Sequence, residues 1–318
     1  MAKILITARS VAASTEGRAV LEKAGHEIVP QIGDKAQSED AMLHAIRGMD
    51  AAIIGLDAMT AKVVVAGSPT LKIIARNGVG YSNVDLKAAA DRGIYVTITP
   101  GANSISVCEL VLGLMLALAR HIPAQDSEVH RGGWGRTLGV ELYRKMLGVI
   151  GTGHIGGEVI KRAHAFGMDI VAFDVKPRPE LTEQYSCKYV ALDELFRMAD
   201  FLTLHTPSTP QTKGLVQDRT LGLMRKTAFI INTARGDLVD EADLSAALKS
   251  GTIAGYGADA FVHEPPGADH PLLSLPNVVV TPHCGAYTKE AVTRSSVIAA
   301  EEVVRVLAGQ QPLYRITS

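Results

Sequence analysis

The sequence predicts an α/β protein made of two doubly wound, mostly parallel sheets, and three observations carry that expectation. Short apolar runs alternate with helix-like patterns along nearly the whole chain. The run 145–150 ends in Gly151-Thr152-Gly153-His154-Ile155-Gly156, and a helical pattern follows directly. The next apolar run, 169–173, ends in Asp174, 23 positions beyond Gly151. With 318 residues the chain can fill the cores of two domains.

In the first third, strands are expected at 3–7, 26–29, 51–54, 71–75 and 94–96. Helices are expected at 14–24, stopped by Gly25, at 38–47, from Thr60, and at 84–91, closed by Gly93. Thr99-Pro100-Gly101 punctuates the chain. The stretch from Ser104 to about Arg120 is apolar on all sides and is expected to be a helix buried between domains, with Pro123 ending it. From 124 to 143 the pattern is weak. This arm carries the only tryptophan, Trp134, which fits either a contact with another subunit or a surface loop with one anchored aromatic. A second α/β unit starts at Lys145. Its six expected strands are 147–150, 170–173, 201–204, 228–231, 253–258 and 278–281, with helices at 155–166, 192–198, 217–224 and 241–249 between them. A last helix, from Thr288 to about Leu307, has no strand of its own to serve and is expected to return to the first domain.

The glycine pattern carries a chemical meaning at that spacing. Gly151 makes the turn, Gly153 lets a pyrophosphate approach the backbone, and Gly156 lets the helix lie close to the strand. The helix N-terminus offers N–H groups to phosphates. Asp174 stands where an acid meets an adenosine ribose. Ligands of open α/β sheets collect outside the carboxyl ends of the strands. The residues expected just past those ends in the second unit are the Gly151 turn, Asp174, His205, Thr233-Ala234-Arg235, Asp259 and His283. With Glu264 they form a plausible acid–base set.

Composition excludes several classes. A net charge of −1 leaves no electrostatic footprint for nucleic acid or an anionic membrane. Cys108, Cys187 and Cys284 lie far apart and form neither a disulfide framework nor a zinc spacing, so no metal is expected and a reducing cytoplasm is the expected compartment. The N-terminus enters a strand at once, with no signal-like segment, and 107–119 is too short and too interrupted to span a bilayer.

Six ordered motifs then give the chain a family resemblance along nearly its whole length. They are Arg76-Asn77-Gly78-Val79-Gly80-Tyr81-Ser82-Asn83-Val84-Asp85, Asn103 to Glu109, the glycine pattern, His205-Thr206-Pro207, Asn232-Thr233-Ala234-Arg235-Gly236, and Asp259-Ala260-Phe261 with Glu264-Pro265 and Thr281-Pro282-His283. The chain resembles the D-isomer-specific 2-hydroxyacid dehydrogenases, in particular their short phosphoglycerate dehydrogenase or hydroxypyruvate reductase-like members. The resemblance implies a Rossmann-type NAD domain, 99–287, inserted into a flavodoxin-like substrate domain, 1–98 with 288–318. It implies hydride transfer between NAD and a small D-2-hydroxy acid or its 2-keto acid. It assigns His283 and Glu264 as the acid–base pair and Arg235 as the group that grips the substrate's carboxylate and carbonyl, a bidentate task suited to guanidinium. Asn77, Gly78, Val79 and Gly80 are implied to bind the substrate carboxylate. Val79, Gly151, Gly153, His154, Ile155, Gly156, Asp174, His205, Thr206, Pro207, Thr212, Thr233, Ala234, Asp259 and Gly285 are implied to contact NAD, with Asp259 near the nicotinamide amide. Lys176 and Arg178 could soften the preference for NAD over NADP. A homodimer is also implied. Relatives with a substrate phosphate carry a basic residue where this chain has Gly55-Leu56-Asp57, and Asp57 is expected to repel a phosphate. Cys284 reads as a packed thiol. Two other readings stay open on the same scaffold: an NAD-sensing corepressor-like protein and a phosphite-type dehydrogenase. Glu264 speaks against the formate branch, which has Gln there.

Overall fold

The computed structural model describes residues 1–33 and 35–316, and it separates into two compact units, 1–103 with 287–318 and 104–286. The separations fall a few residues from the expected 98/99 and 287/288. Thr99 N–H donates to the Gly78 carbonyl (3.0 Å), and the Ala102 carbonyl accepts from Arg294 Nε (2.9 Å), so 99–103 stays with the first unit. Thr317 and Ser318, at the end of the expected 288–318 segment, lie outside the described residues.

The first unit holds β1 (Lys3–Ile6), α1 (Arg9–Ala13), α2 (Thr15–Lys23), β2 (Glu27–Pro30), α3 (Glu39–Ala45), β3 (Ala51–Ile54), α4 (Ala61–Gly67), β4 (Ile73–Arg76), α5 (Leu86–Ala90) and β5 (Tyr95–Thr97). Its sheet runs in the order β2-β1-β3-β4-β5, the flavodoxin-like order, with all these pairs parallel. Alternate residues serve two apolar layers: Leu5, Ala52, Ile54 and Ile74 on one face, Ile4, Ile6, Ile53 and Ile73 on the other.

The second unit holds α6 (Ser104–Ala119), α7 (Ile122–His130), β6 (Met146–Ile150), α8 (His154–Ala165), β7 (Asp169–Phe173), α9 (Pro179–Tyr185), β8 (Lys188–Tyr189), α10 (Leu192–Met198), β9 (Phe201–Leu204), α11 (Asp218–Leu221), β10 (Phe229–Asn232), α12 (Glu241–Ser250), β11 (Gly255–Ala258) and β12 (Val278–Val280). The first unit is completed by α13 (Lys289–Leu307), which packs on α1, α2, β3 and β4, and by β13 (Arg315–Ile316), antiparallel to β5. The second sheet runs β8-β7-β6-β9-β10-β11-β12, all parallel. This is the Rossmann order 3-2-1-4-5-6 with one strand added.

Four differences from the sequence expectation have physical reasons. The second sheet has seven strands, because β8 is two residues long and shows no periodicity. Residues 9–13 form α1, too short to display a helical stripe. Pro123 starts α7 rather than only ending α6: His121 turns the chain in the left-handed region (φ 51°), and proline suits a first helical turn. No residue of α7 is buried, so no apolar stripe marks it. And α9 is only seven residues long with Leu181 as its one buried residue, too little to show an apolar stripe, while α6 packs on α8, β10, β11 and β12 of its own unit. Glu302 of α13 is buried and accepts from Leu313 N–H (3.2 Å) and Tyr314 N–H (3.0 Å), which fastens the approach to β13.

Among the described residues no single helix is long and apolar enough to cross a membrane. Together α6 and α7 have the length and composition, but they meet at a 64° bend, and α6 is largely buried in the second unit.

Candidate active site

The site in the second unit is built at the carboxyl ends of its strands. After β6, Gly151 has φ +91°, and a Cβ there would lie 2.6 Å from the His205 backbone. A Cβ on Gly156 would lie 2.0 Å from the Gly151 carbonyl oxygen, so only glycine lets α8 start this close to β6. At Gly153, by contrast, nothing stands within 4 Å of a Cβ position. Gly153 is also the N-cap of α8 and gives it no side-chain cap, whereas Ser14, Ser38, Asp85, Asp240 and Thr288 cap α2, α3, α5, α12 and α13. His154 and Gly153 are exposed, and Ile155 is half-buried. The first turn of α8 therefore presents its N–H groups to solvent.

Asp174, past β7, is held from several sides. Its carboxylate accepts from Thr152 N–H (2.6 Å), Thr152 Oγ1 (3.1 Å) and Lys176 N–H (2.8 Å). Burial works against its ionisation, but these donors, with the Val175 N–H, outweigh it and keep the carboxyl below the usual carboxylate range. A hydroxyl relay backs it: Arg178 N–H donates to Tyr189 Oη (2.9 Å), which donates to Thr152 Oγ1 (3.0 Å). The Arg178 guanidinium is committed to the loop, donating to the carbonyls of Thr152 (3.1 Å) and Gly153 (3.2 Å) and pairing with Glu180 (2.8 Å). The relay was invisible in the sequence, because it joins residues 37 positions apart.

His205 and Thr233 follow β9 and β10. Thr203 Oγ1 and His205 Nε2 are 2.9 Å apart, and burial pushes the imidazole down to about 3, so it stays neutral. His205 Nδ1 and Thr233 Oγ1 are buried without a hydrogen-bond partner. Thr206 is half-buried and Pro207 exposed. The Thr212 hydroxyl organises its own loop, donating to the Pro207 carbonyl (2.7 Å) and accepting from Thr209 N–H (2.8 Å).

Asn232, whose role sequence reasoning missed, shapes the next turn. Buried at the end of β10, it accepts from Ala234 N–H (3.0 Å) and donates to the Arg235 carbonyl (2.8 Å). Arg235 is thereby left exposed, its guanidinium donating to the Ala234 carbonyl (2.6 Å). A buried polar residue closing an apolar strand was the available signal.

Asp259 is 2% exposed. It accepts from Thr281 Oγ1 (2.5 Å), Cys284 N–H (2.8 Å) and Gly285 N–H (2.8 Å). It thus knits the turn that carries His283, a positional role the sequence reading did not give it. His283 has φ +52°, a conformation non-glycine residues avoid. Its Nδ1 lies 2.7 and 2.9 Å from the two oxygens of Glu264, and Glu264 also accepts from Phe261 N–H (3.0 Å). Nδ1 is engaged, which leaves Nε2 as the nitrogen for a ligand. The Cys284 thiol is pushed up, by burial first and then by the Asp259 charge, against a nucleophilic role.

In the first unit, the loop after β4 differs from expectation at Asn77. Its backbone N–H is taken by the Ile54 carbonyl (2.9 Å) and its amide donates to Ser10 Oγ (2.7 Å), so its backbone donor is spent within the fold. Among the described residues, no hydrogen bond uses the N–H of Gly78, Val79 or Gly80. Asp57 is also corrected. It is 3% exposed and accepts from Thr7 Oγ1 (2.6 Å), Gln37 N–H (2.8 Å) and Gly55 N–H (2.9 Å). Its carboxylate faces the fold and does not stand ready to repel a phosphate.

With this geometry in place, similarity to known proteins decides the family. Residues 112–285 match the family described as D-isomer specific 2-hydroxyacid dehydrogenase, NAD binding domain. The chain belongs to the D-isomer specific 2-hydroxyacid dehydrogenases. It is 44% identical over 276 residues to a D-3-phosphoglycerate dehydrogenase of Methanocaldococcus jannaschii, covering 86% of this chain and 52% of that one. It is 42% identical over 275 residues to a hydroxypyruvate reductase of Thermotoga maritima, covering 85% of this chain and 88% of that one. In structure it resembles the TT0316 protein of Thermus thermophilus, with a TM-score of 0.91, 34% identity, and coverage of 99% and 100%. The chain spans about half the length of the phosphoglycerate dehydrogenases it matches. In this family member, 112–285 form the NAD-binding domain.

NAD can be tested against the residues. The open space at Gly153, the uncapped start of α8, and the buried unpartnered atoms of Thr233 and His205 all lie past the carboxyl ends of β6, β9 and β10. They fit a dinucleotide.

Proposed function

We propose that this chain is an NAD-dependent dehydrogenase that interconverts a small D-2-hydroxy acid and its 2-keto acid. The observation that carries the reading is the His283 ring, held by both oxygens of Glu264 at 2.7 and 2.9 Å. Bound NAD supplies the hydride chemistry at the substrate's C2. His283 Nε2 gives a proton to the C2 oxygen in reduction and takes it back in oxidation. Glu264 fixes the ring with its proton on Nδ1 and stabilises the imidazolium. Arg235 grips the carboxylate and polarises the C2 oxygen through two N–H groups. The N–H groups of Gly78, Val79 and Gly80, which no hydrogen bond among the described residues uses, would bind the substrate carboxylate.

On the cofactor side, Gly151, Gly153, His154, Ile155 and Gly156 would hold the pyrophosphate, and Asp174 the adenosine ribose. Arg178, already paired with Glu180 and the loop carbonyls, supports the NAD preference of Asp174 rather than softening it.

The enzyme is proposed to be a cytoplasmic homodimer without nucleic-acid or membrane partners. Its three thiols are free. The arm after α7 exposes Trp134 (78%), Leu138 (95%) and Tyr143 (55%), an apolar surface that a second copy would cover. Trp134→Ser should lower the mass seen by sedimentation, and an unchanged mass removes the arm from the interface.

The functional test is the rate of NADH consumption over glyoxylate, hydroxypyruvate, pyruvate and phosphohydroxypyruvate. Turnover of at least one is expected, and the hydroxypyruvate pair reads the phosphate preference directly. Tight NADH binding with no turnover across the panel overturns the assignment.

A further inference from the structure

Glu264 sits on a long irregular segment between β11 and β12, so something must hold it against His283. The structure shows one carboxylate doing this from a neighbouring helix. Glu241, the first residue of α12, accepts from Val262 N–H through one oxygen (3.1 Å) and from His270 Nε2 through the other (3.1 Å). The two tie points flank Glu264 in the chain. The pair is mostly shielded, with side-chain exposures of 19% for Glu241 and 16% for His270. The start of a helix favours a carboxylate at that place. His270 is itself fixed: its Nδ1 accepts a long bond from Leu272 N–H (3.4 Å), so its ring proton sits on Nε2, facing Glu241. The edge of its ring meets Phe261 at 83°, with centroids 5.4 Å apart. Phe261 N–H in turn binds Glu264.

We infer that Glu241 and His270 are positioning residues for the acid–base pair, stapling residues 261–270 so that Glu264 presents both oxygens to His283 Nδ1. The inference rests on the acid–base reading of His283 and Glu264 given above. Neither residue touches the reacting atoms. Their effect passes through the place of Glu264 and hence through the tautomer of His283. Neutral imidazole in water favours the proton on Nε2, whereas the Glu264 contact holds it on Nδ1 and frees Nε2.

The test uses the full chain with ¹⁵N-labelled histidine, in the absence of substrate and cofactor. Ring nitrogen shifts report the His283 tautomer, with Glu264→Gln as the reference for a broken pair. In the native protein the Nδ1–H form is expected. In Glu241→Ala, part of the population is expected to move to Nε2–H. With turnover assayed in parallel, kcat should fall about threefold or more, though less than in Glu264→Gln, while KM for NADH holds, and the kcat–pH profile should shift. His270→Phe keeps an aromatic ring against Phe261 but removes the donor. It should show the same change, smaller, and it serves in place of Glu241→Ala should that variant not fold. Glu241→Gln keeps an acceptor for Val262 N–H and should rescue part of the loss. A folded Glu241→Ala or His270→Phe protein with the native tautomer and pH profile overturns the inference. An inert native enzyme overturns the acid–base reading instead, so the two failures are distinct.

Discussion

The sharpest test of the site is one methyl group on Gly236. A Cβ built there would stand 1.9 Å from the Phe261 carbonyl carbon, 2.2 Å from Val262 N and 2.3 Å from the Phe261 oxygen. All three are backbone atoms, so no side chain can swing aside. Real Cβ atoms essentially never approach closer than 3.0 Å, so the two segments must separate by about 1.1 Å, from 1.9 to 3.0 Å. One segment carries Arg235 and the other leads into Glu264, and the shift therefore drives the two parts of the chemistry apart. A displacement of about 1 Å costs about 100-fold in rate. Overpacking of this kind destabilises a fold by about 1–3 kcal/mol, a drop in Tm of roughly 2–12 °C for a unit of this size. Gly236→Ala should thus lose about 100-fold in kcat, remain folded, and bind NADH as the native protein does, because the Gly151–Gly156 loop is untouched. Gly113→Ala is the control: that exposed α6 position has nothing within 4 Å of its Cβ, and alanine suits a helix better. Steady-state kinetics, NADH fluorescence titration and calorimetry read the three quantities. A Gly236→Ala enzyme within about threefold of native kcat would refute the coupling of the two segments.

Two further outcomes follow from the same geometry. Glu264→Gln replaces a charge-assisted contact worth about 1.5–3 kcal/mol in shielded settings. With side-chain exposures of 48% for His283 and 38% for Glu264, about 1–2 kcal/mol is expected, or roughly 5- to 30-fold in kcat at constant KM for NADH. Native kcat in that variant would remove Glu264 from the mechanism. Asp174 is held below the usual carboxylate range, so its charge persists as pH falls and is lost only beneath the ordinary value. Its contribution to stability is present above the unfolded carboxyl value and disappears as pH drops through the folded one. Above the second ionisation of the NADPH 2′-phosphate, near about pH 6, the NADH-to-NADPH preference should therefore stay flat from about pH 7.5 to 9, and Asp174→Asn should reduce it about tenfold or more. A preference that titrates within that window contradicts the assignment.

The sequence carried the parts of the site whose requirements are local. The glycine turn is legible because Gly156 answers to the Gly151 carbonyl five positions back and Gly151 to its own φ of +91°. Arg235, Glu264 and His283 were legible because each follows a strand end, and parallel strands gather those ends at one edge of the sheet. What stayed hidden depends on segments distant in the chain. Asp57 reads as an exposed acid after β3, yet Thr7 and the Gln37 backbone turn it inward across 50 and 20 positions. Asn77 reads as a donor in a ligand loop, but β3 takes its N–H to extend the sheet. The helix α7 lacks buried residues and hence the stripe that periodicity detects.

The edge of the second sheet also separates holding from reacting. Three consecutive strands end in turns, and each is fastened by a side chain that the proposed mechanism keeps off the substrate. Asn232 closes the turn of Arg235 with bonds of 2.8 and 3.0 Å. Glu264 is tied to Phe261 N–H at 3.0 Å as well as to His283. Asp259 gathers three donors from the turn of His283, at 2.5, 2.8 and 2.8 Å. That last set has a strain to offset, since a histidine at φ +52° costs about 1–3 kcal/mol. A buried, triply bonded carboxylate is able to hold it. The reactive groups are thereby relieved of structural duty: Arg235 and His283 are both exposed, and neither belongs to a buried apolar cluster. Placed this way, the guanidinium and the imidazole Nε2 can engage and release a ligand without breaking any bond that maintains the fold.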